Sequence, residues 1–195
     1  HAVKLLNLSN LPWGQVLDVV RTLDADVVGL SCWTANRRGV ALVAEAVKVA
    51  RPATTVVVGG PHATALPEAM MRHHAAIDVL TTGESDATFV ELLDRLGRGE
   101  ALTGLAGALV RGAGGAVTRG PKRGSIKDLD VLASPQRAFT THILMTSRGC
   151  PWACTFCGAE SSWGRGFRAH SNDYVLDAIE ASLAKLPVRM VQIKD

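Results

Sequence analysis

The chain has 195 residues, a formal net charge of +3, 47% hydrophobic residues and only 5% aromatic ones. That length suits one or two domains with a sizeable core. So small a charge does not by itself indicate a nucleic-acid partner, and no run of 18 apolar residues predicts a membrane span.

The N-terminal residues show no basic-then-apolar leader with a small-residue cleavage site. Three of the four cysteines lie in one short stretch, which does not resemble a secreted disulfide framework. The expected compartment is a reducing cytoplasm. Residues 3–8 read as a first strand. Residues 12–23 read as a helix with Val16, Val19, Val20 and Leu23 on one face. Residues 26–31 (Asp-Val-Val-Gly-Leu-Ser) form a continuous apolar run, the pattern of a strand buried on both faces of a parallel sheet. Residues 37–50 repeat Val40, Val43, Val47 and Ala50 at helical spacing, and Pro52 closes that helix.

Residues 54–58 predict the next buried strand, ending in Gly59, Gly60, Pro61 and His62. A helix over 66–74 and a strand over 77–81 follow. Ser85 is placed to cap a helix whose apolar stripe is Phe89, Leu92, Leu93 and Leu96. The order β-α-β-α-β-α-β-α predicts a Rossmann- or flavodoxin-like α/β fold, a parallel sheet covered by helices. Ligands of such folds sit at the carboxyl ends of the strands. The polar and glycine-rich positions fall there: Ser31, Cys32, Trp33 and Thr34; Gly59, Gly60, Pro61 and His62; Gly83 and Glu84. Neither G-x-G-x-x-G nor G-x4-G-K-[ST] is present, so those nucleotide sites are not indicated.

Residues 105–111 and 116–119 flank Gly112-Ala-Gly-Gly115 and predict a β-hairpin. The stretch from 111 to 137 then holds six basic residues (Arg111, Arg119, Lys122, Arg123, Lys127, Arg137) against two acidic ones, Asp128 and Asp130. It reads either as a solvated linker or as a contact to phosphate. No aromatics interleave with these charges, so RNA binding is not indicated.

Residues 142–145 read as a strand end leading into Cys150, Cys154 and Cys157, spaced C-x3-C-x2-C. Three thiolates on one loop can hold three irons of a cubane iron–sulfur cluster. Ordinary clusters take four cysteines, so one iron would stay open. The alternative is a zinc site completed by His142 or His170, although structural zinc prefers a second cysteine or histidine pair and none follows. After the loop, Ser171 or Asn172 caps a helix over 173–186 with Val175, Ile179, Leu183 and Leu186 buried, and residues 188–194 predict a further strand.

The C-x3-C-x-Phe-C frame resembles the radical S-adenosylmethionine (SAM) motif. Residues 26–31, 57–64 and 77–84, with their spacing, resemble the cobalamin-binding domain that precedes a radical SAM domain in many enzymes. The resemblance implies a cobalamin-binding domain over residues 1–100, a hairpin and basic linker over 101–141, and the start of a radical SAM (β/α) partial barrel over 142–195. It implies Cys150, Cys154 and Cys157 as ligands of a [4Fe-4S] cluster, and SAM contacts from Phe156, Gly158 and Asp195. It also implies corrin contacts from Ser31, Cys32, Trp33, Thr34, Gly59, Gly60, Pro61, His62, Gly83 and Glu84. His62 lies outside the D-x-H-x-x-G motif of histidine-ligated cobalamin proteins, which favours a hydrogen-bonding role for it.

By the same resemblance, the expected activity is methyl transfer from methylcobalamin to an unactivated carbon of a small-molecule or natural-product substrate. Hydrogen abstraction by a 5'-deoxyadenosyl radical comes first. The electron donor would be a flavodoxin or ferredoxin. A non-methylating cyclase or oxidase and a non-catalytic cobalamin- or metal-binding module are the alternatives. A radical SAM methylthiotransferase fits less well, because its three further cysteines are not present. Residues 142–195 make fewer than two of the roughly 30-residue units of a (β/α) barrel. The sequence therefore reads as part of a longer protein, extending beyond both ends.

Overall fold

The computed structural model describes residues 1–187 and 190–195. Two compact units emerge: Leu6–Gly124, and Ser125–Asp195 together with His1–Leu5. Among the described residues no helix is long and apolar enough to cross a membrane.

The first unit carries α1 (Trp13–Thr22), β1 (Val27–Ser31), α2 (Arg37–Ala50), β2 (Thr55–Gly59), α3 (Pro61–Ala65), α4 (Pro67–His73), β3 (Val79–Thr81), α5 (Asp86–Gly97), β4 (Ala108–Arg111) and β5 (Val117–Arg119). One sheet of order β1-β2-β3-β4-β5 unites the strands. The first three are parallel, as expected, while β4 and β5 join antiparallel. The predicted hairpin therefore exists, but it extends the main sheet.

Alternation along β2 divides the core. Val56 and Val58 pack with Val16, Val20, Val43, Val47, Met70 and Leu80 on one face. Val57 points to the other, with Val79, Leu92, Leu105 and Val110 and the partly buried Phe89, Leu93 and Leu96 of α5. Every residue of β3 is buried, which is why continuous β-branched runs, not alternating ones, mark the central strands.

Several details differ from the sequence reading. Residues 3–8 form no strand, and Val3 and Leu5 are exposed. Apolar side chains do not make a strand unless its backbone groups find a neighbour. β1 lies at the sheet edge and is only half-buried. The helix expected over 66–74 starts at Pro67, behind the separate short α3; a residue before proline is pushed out of the α region, and Leu66 sits at φ −133°, ψ 49°. Ser85 occupies the cap position of α5 without capping it. Its hydroxyl donates instead to Thr81 Oγ1 at 2.8 Å.

Much of the basic stretch is engaged within the fold. The Arg111 guanidinium donates to the carbonyls of Ile77 and His74 at 2.9 and 3.1 Å, and to that of Met71. It thus covers carbonyls left open at the C-terminal end of α4. Arg119 pairs with Glu68, and Arg123 with Glu91.

The second unit contains a 3-10 turn (Leu129–Val131), α6 (Pro135–Ala138), β6 (Ile143–Leu144), β7 (Ser147–Arg148), α7 (Ala159–Trp163), β8 (Arg168–Ala169), α8 (Asn172–Lys185) and β9 (Gln192–Ile193). β6 and β9 pair in parallel on either side of α8 in the chain, a β-α-β crossover. β7 and β8 pair antiparallel. Ser171 caps α8, accepting from Tyr174 N at 3.2 Å. The face of α8 that is fully buried is Ala178 and Ser182, whereas Leu183 is exposed. Small residues allow close approach there, and Ser182 Oγ reaches Thr141 O at 3.0 Å. Arg137 pairs with Asp177, and Lys185 Nζ donates to the carbonyls of Gln136 and Arg137. Of the strand expected over 188–194, positions 188 and 189 lie outside the described residues.

Two consequences can be measured. Leu80 is fully buried, so Leu80→Ala should cost about 2–5 kcal/mol in chemical denaturation. Glu91 is held below the ordinary carboxylate range, chiefly by the hydrogen bond from Arg123, with burial opposing and Arg95 assisting. A depressed native value contributes stability above the unfolded-state value, lost as pH falls through the native one. Glu91→Gln should therefore lower the melting temperature near neutrality and flatten its fall in acid.

Candidate functional site

Strand register assembles the first site. Pairing of Val27 with Thr55 through Ser31 with Gly59 brings the carboxyl ends of β1 and β2 level. Pairing of Val57 with Val79 and Val58 with Leu80 adds the end of β3. The three glycine-rich and polar loops therefore meet at one edge. Cys32 N donates to Gly59 O at 2.7 Å, and His62 N donates to Cys32 O at 3.0 Å. The His62 ring nitrogen Nδ1 lies 3.1 Å from Thr34 Oγ1. Gly83 N donates to Thr64 Oγ1 at 3.0 Å, tying in the third loop.

Gly60 sits at φ +104°, and a Cβ there would come within 2.8 Å of Cys32 O. Its glycine is thus demanded by the close packing of two loops of the protein itself. Pro61 opens α3, where its missing N–H costs nothing. Trp33 N donates to Asn36 Oδ1 at 2.7 Å, Asn36 Nδ2 donates to Ser31 O at 3.0 Å, and the indole is 58% exposed. Glu84 is buried. Cys32 is fully buried, and burial pushes its thiol pKa up against the opposing charge of Arg37. Among the predicted contacts, Cys32 therefore offers its backbone and keeps its side chain in the core.

Behind these loops, on the α5 side, lies an open hollow of about 330 Å³ lined by Ser31, Gly59, Gly60, Thr81, Ser85 and Phe89, among others. The sequence reading named the first three and missed the others. One signal was available: Gly29 sits inside a strand, where glycine often marks close approach. A Cβ at Gly29 would touch the Phe89 ring at 3.6 Å.

The cysteine loop belongs to the second unit. Gly149 enters it at φ +87°, where a Cβ would lie 2.0 Å from Gly166 O. Cys150 N donates to Gly164 O at 3.4 Å, and Cys157 N donates to Cys154 O at 3.1 Å. Gly158 precedes α7 and its carbonyl accepts from Ser161 Oγ at 2.7 Å. The loop is thus tied at its base while all three thiols are free, Cys150 half-buried and Cys154 and Cys157 exposed.

Among the described residues no three His, Cys, Asp or Glu side chains are gathered around a metal position. The donor set is present on one loop, but the thiols are not drawn together. By number and softness, three free thiols suit iron–sulfur ligation with one open iron. The zinc alternative needs His142 or His170 as fourth ligand, and neither is gathered with the thiols among the described residues. His170 Nδ1 is engaged by Asp130 at 2.9 Å, and the imidazole is only 6% exposed. It also stacks on Tyr174 with ring centroids 3.8 Å apart.

Phe156 is 90% exposed and so packs in no core of this unit. Asp195 is engaged differently. Its Oδ1 accepts from Thr146 N at 2.8 Å and Ser147 N at 3.0 Å, and its Oδ2 accepts the Thr146 hydroxyl. The carboxylate predicted for SAM is directed at the backbone ahead of the cysteine loop.

Comparison with known proteins supplies the context. Residues 1–93 match the B12 binding domain family. The whole chain is 29% identical to an uncharacterized methyltransferase of Pyrococcus horikoshii, covering 45% of that protein. It is 33% identical, over 81% of its length, to the cobalamin-dependent radical SAM methyltransferase TokK of Streptomyces tokunonensis, covering 25% of that protein. The fold resembles that of the cobalamin-dependent SAM radical enzyme OxsB, solved with aqua-cobalamin and SAM bound. The TM-score is 0.74 at 18% identity, over 90% of this chain and 26% of that one. The chain thus spans less than half the length of these relatives.

Glycine substitutions separate the demands on the first site. Gly60→Ala should destabilise the protein by about 1–3 kcal/mol, from strain at positive φ. Gly39→Ala, inside α2 with open space around it, should be neutral or stabilising by up to about 1 kcal/mol. Paired urea melts check both.

Proposed function

We propose that the chain forms part of a cobalamin-dependent radical SAM methyltransferase in which cobalamin lies on the carboxyl edge of the first unit and a [4Fe-4S] cluster with SAM lies on the cysteine loop. The substrate is the unactivated carbon of a small molecule. The observation that carries the reading is the presence of three free thiols on one anchored loop, in a chain whose residues 1–93 match a B12 binding domain. When bound, the reduced cluster with SAM supplies one-electron bond cleavage, and cobalamin supplies a transferable methyl group.

The chain's own residues bind and orient. Gly59 keeps the end of β2 low, so that a large flat ligand can rest against backbone, while Gly60 lets the two loops beneath it pack together. A Cβ at Gly59 would lie 2.6 Å from Thr81 Oγ1 and fill part of the hollow. The hollow, lined by Phe89, Thr81 and Ser85 among others, suits the cofactor's nucleotide tail. His62, tethered to Thr34, serves as a hydrogen-bonding residue of the loop. Exposed Trp33 completes the corrin-facing set, with Ser31, Pro61, Gly83 and the buried Glu84 shaping the loops behind it. On the second unit, Cys150, Cys154 and Cys157 take the irons, Gly158 keeps the loop slim, and exposed Phe156 offers a ring face to an adenine. A flavodoxin- or ferredoxin-type electron donor and a reducing cytoplasm accompany this reading.

Anaerobic reconstitution tests it. The wild-type protein should take up about four irons per chain and, once reduced, cleave SAM to methionine and 5'-deoxyadenosine. Cys154→Ala should lose both properties while keeping aquacobalamin affinity. SAM cleavage retained by that variant would remove the cluster assignment.

A further inference from the structure

The cysteine loop begins three residues after Ser147, and the chain reaches it through β6 and β7. Between these strands lie Met145 and Thr146. Met145 is exposed. The hold comes from far along the chain. Asp195, just past β9, accepts both the Thr146 and Ser147 amides and the Thr146 hydroxyl.

Just before the junction, β6 pairs in parallel with β9, and Lys194 N donates to Leu144 O at 2.8 Å. Just after it, His170 N donates to Thr146 O at 2.9 Å and β7 pairs with β8. The junction is therefore fixed from both sides, and the Asp195 carboxylate supplies the acceptors for two adjacent amides at its centre.

We infer that Asp195 is a positioning residue of the cysteine loop, setting the direction in which the chain enters it, rather than a SAM contact. This rests on the cluster reading above. Burial pushes the Asp195 pKa up, but the hydrogen bonds from Thr146 and Ser147 outweigh it and hold the carboxylate below its ordinary range. The group is thus ionised at neutral pH and accepts charge-assisted hydrogen bonds, the stronger kind.

The test compares Asp195→Ala with Asp195→Asn, which keeps one carbonyl oxygen for the two amides. In the apo protein, amide hydrogen exchange at Thr146 and Ser147 should rise on the order of tenfold or more in Asp195→Ala. It should stay near wild type in Asp195→Asn, and amides of β2 and β3 should be unchanged in both. After anaerobic reconstitution, Asp195→Ala should hold less iron, while its cluster-loaded fraction binds SAM as the wild type does. Unchanged exchange together with weakened SAM binding would overturn the inference and return Asp195 to the SAM site. A wild-type protein that takes up no iron would refute the cluster reading instead, and the apo exchange comparison would still decide the role of Asp195.

Discussion

The first site depends on the parallel register of β1 against β2. Once Ser31 lies beside Gly59, the two following loops leave the sheet at the same height and have to share space. They do so through backbone: Cys32 N to Gly59 O, then His62 N to Cys32 O. These bonds satisfy polar groups that would otherwise be left at the sheet end, and they permit only glycine at position 60. A slip of register by one residue would turn the core side chains of β1 outward and undo this stitching together with the core. Stability and site geometry are therefore set by the same hydrogen bonds.

The second unit achieves a similar result with less regular structure. Its strands are two residues long, so pairing alone fixes little. Gly149 packs against Gly166, Ser171 caps α8, and Asp130 holds both the His170 ring and the Ser171 amide. Arg148 lies over the Trp163 ring at 5.0 Å, joining the start of the loop to the helix that ends it. Side chains and single glycines fix here what longer strands fix in the first unit.

Much of this was legible in the sequence because the central strands are continuous β-branched runs and the helices carry clear apolar stripes. Residues 26–31 and 54–58 could hardly be anything else, and the positions of the polar loops followed from topology. The cysteine spacing was equally plain. What was hidden depended on partners distant in the chain. Nothing local distinguishes a serine that caps a helix from Ser85, which turns back to Thr81. Nothing local shows that Asp195 faces Thr146, or that Arg111 serves α4. Residues 3–8 have a strand's composition but no neighbour to pair with, and composition cannot supply one. The division of α8 into a small-residue face and an exposed Leu183 likewise reflects how closely the chain near Thr141 approaches it.

The burial of Cys32 has a consequence for how this chain ages in air. Buried thiols with raised pKa are poor nucleophiles, whereas exposed ones climb the oxidation ladder through sulfenic acid and disulfides. The four cysteines thus fall into two chemical populations, one sealed beneath the loops of the first unit and three presented on the second. Exposure to oxygen would consume the loop and spare the core, leaving a protein that is folded, still holds one reduced thiol, and has lost the three that distinguish it.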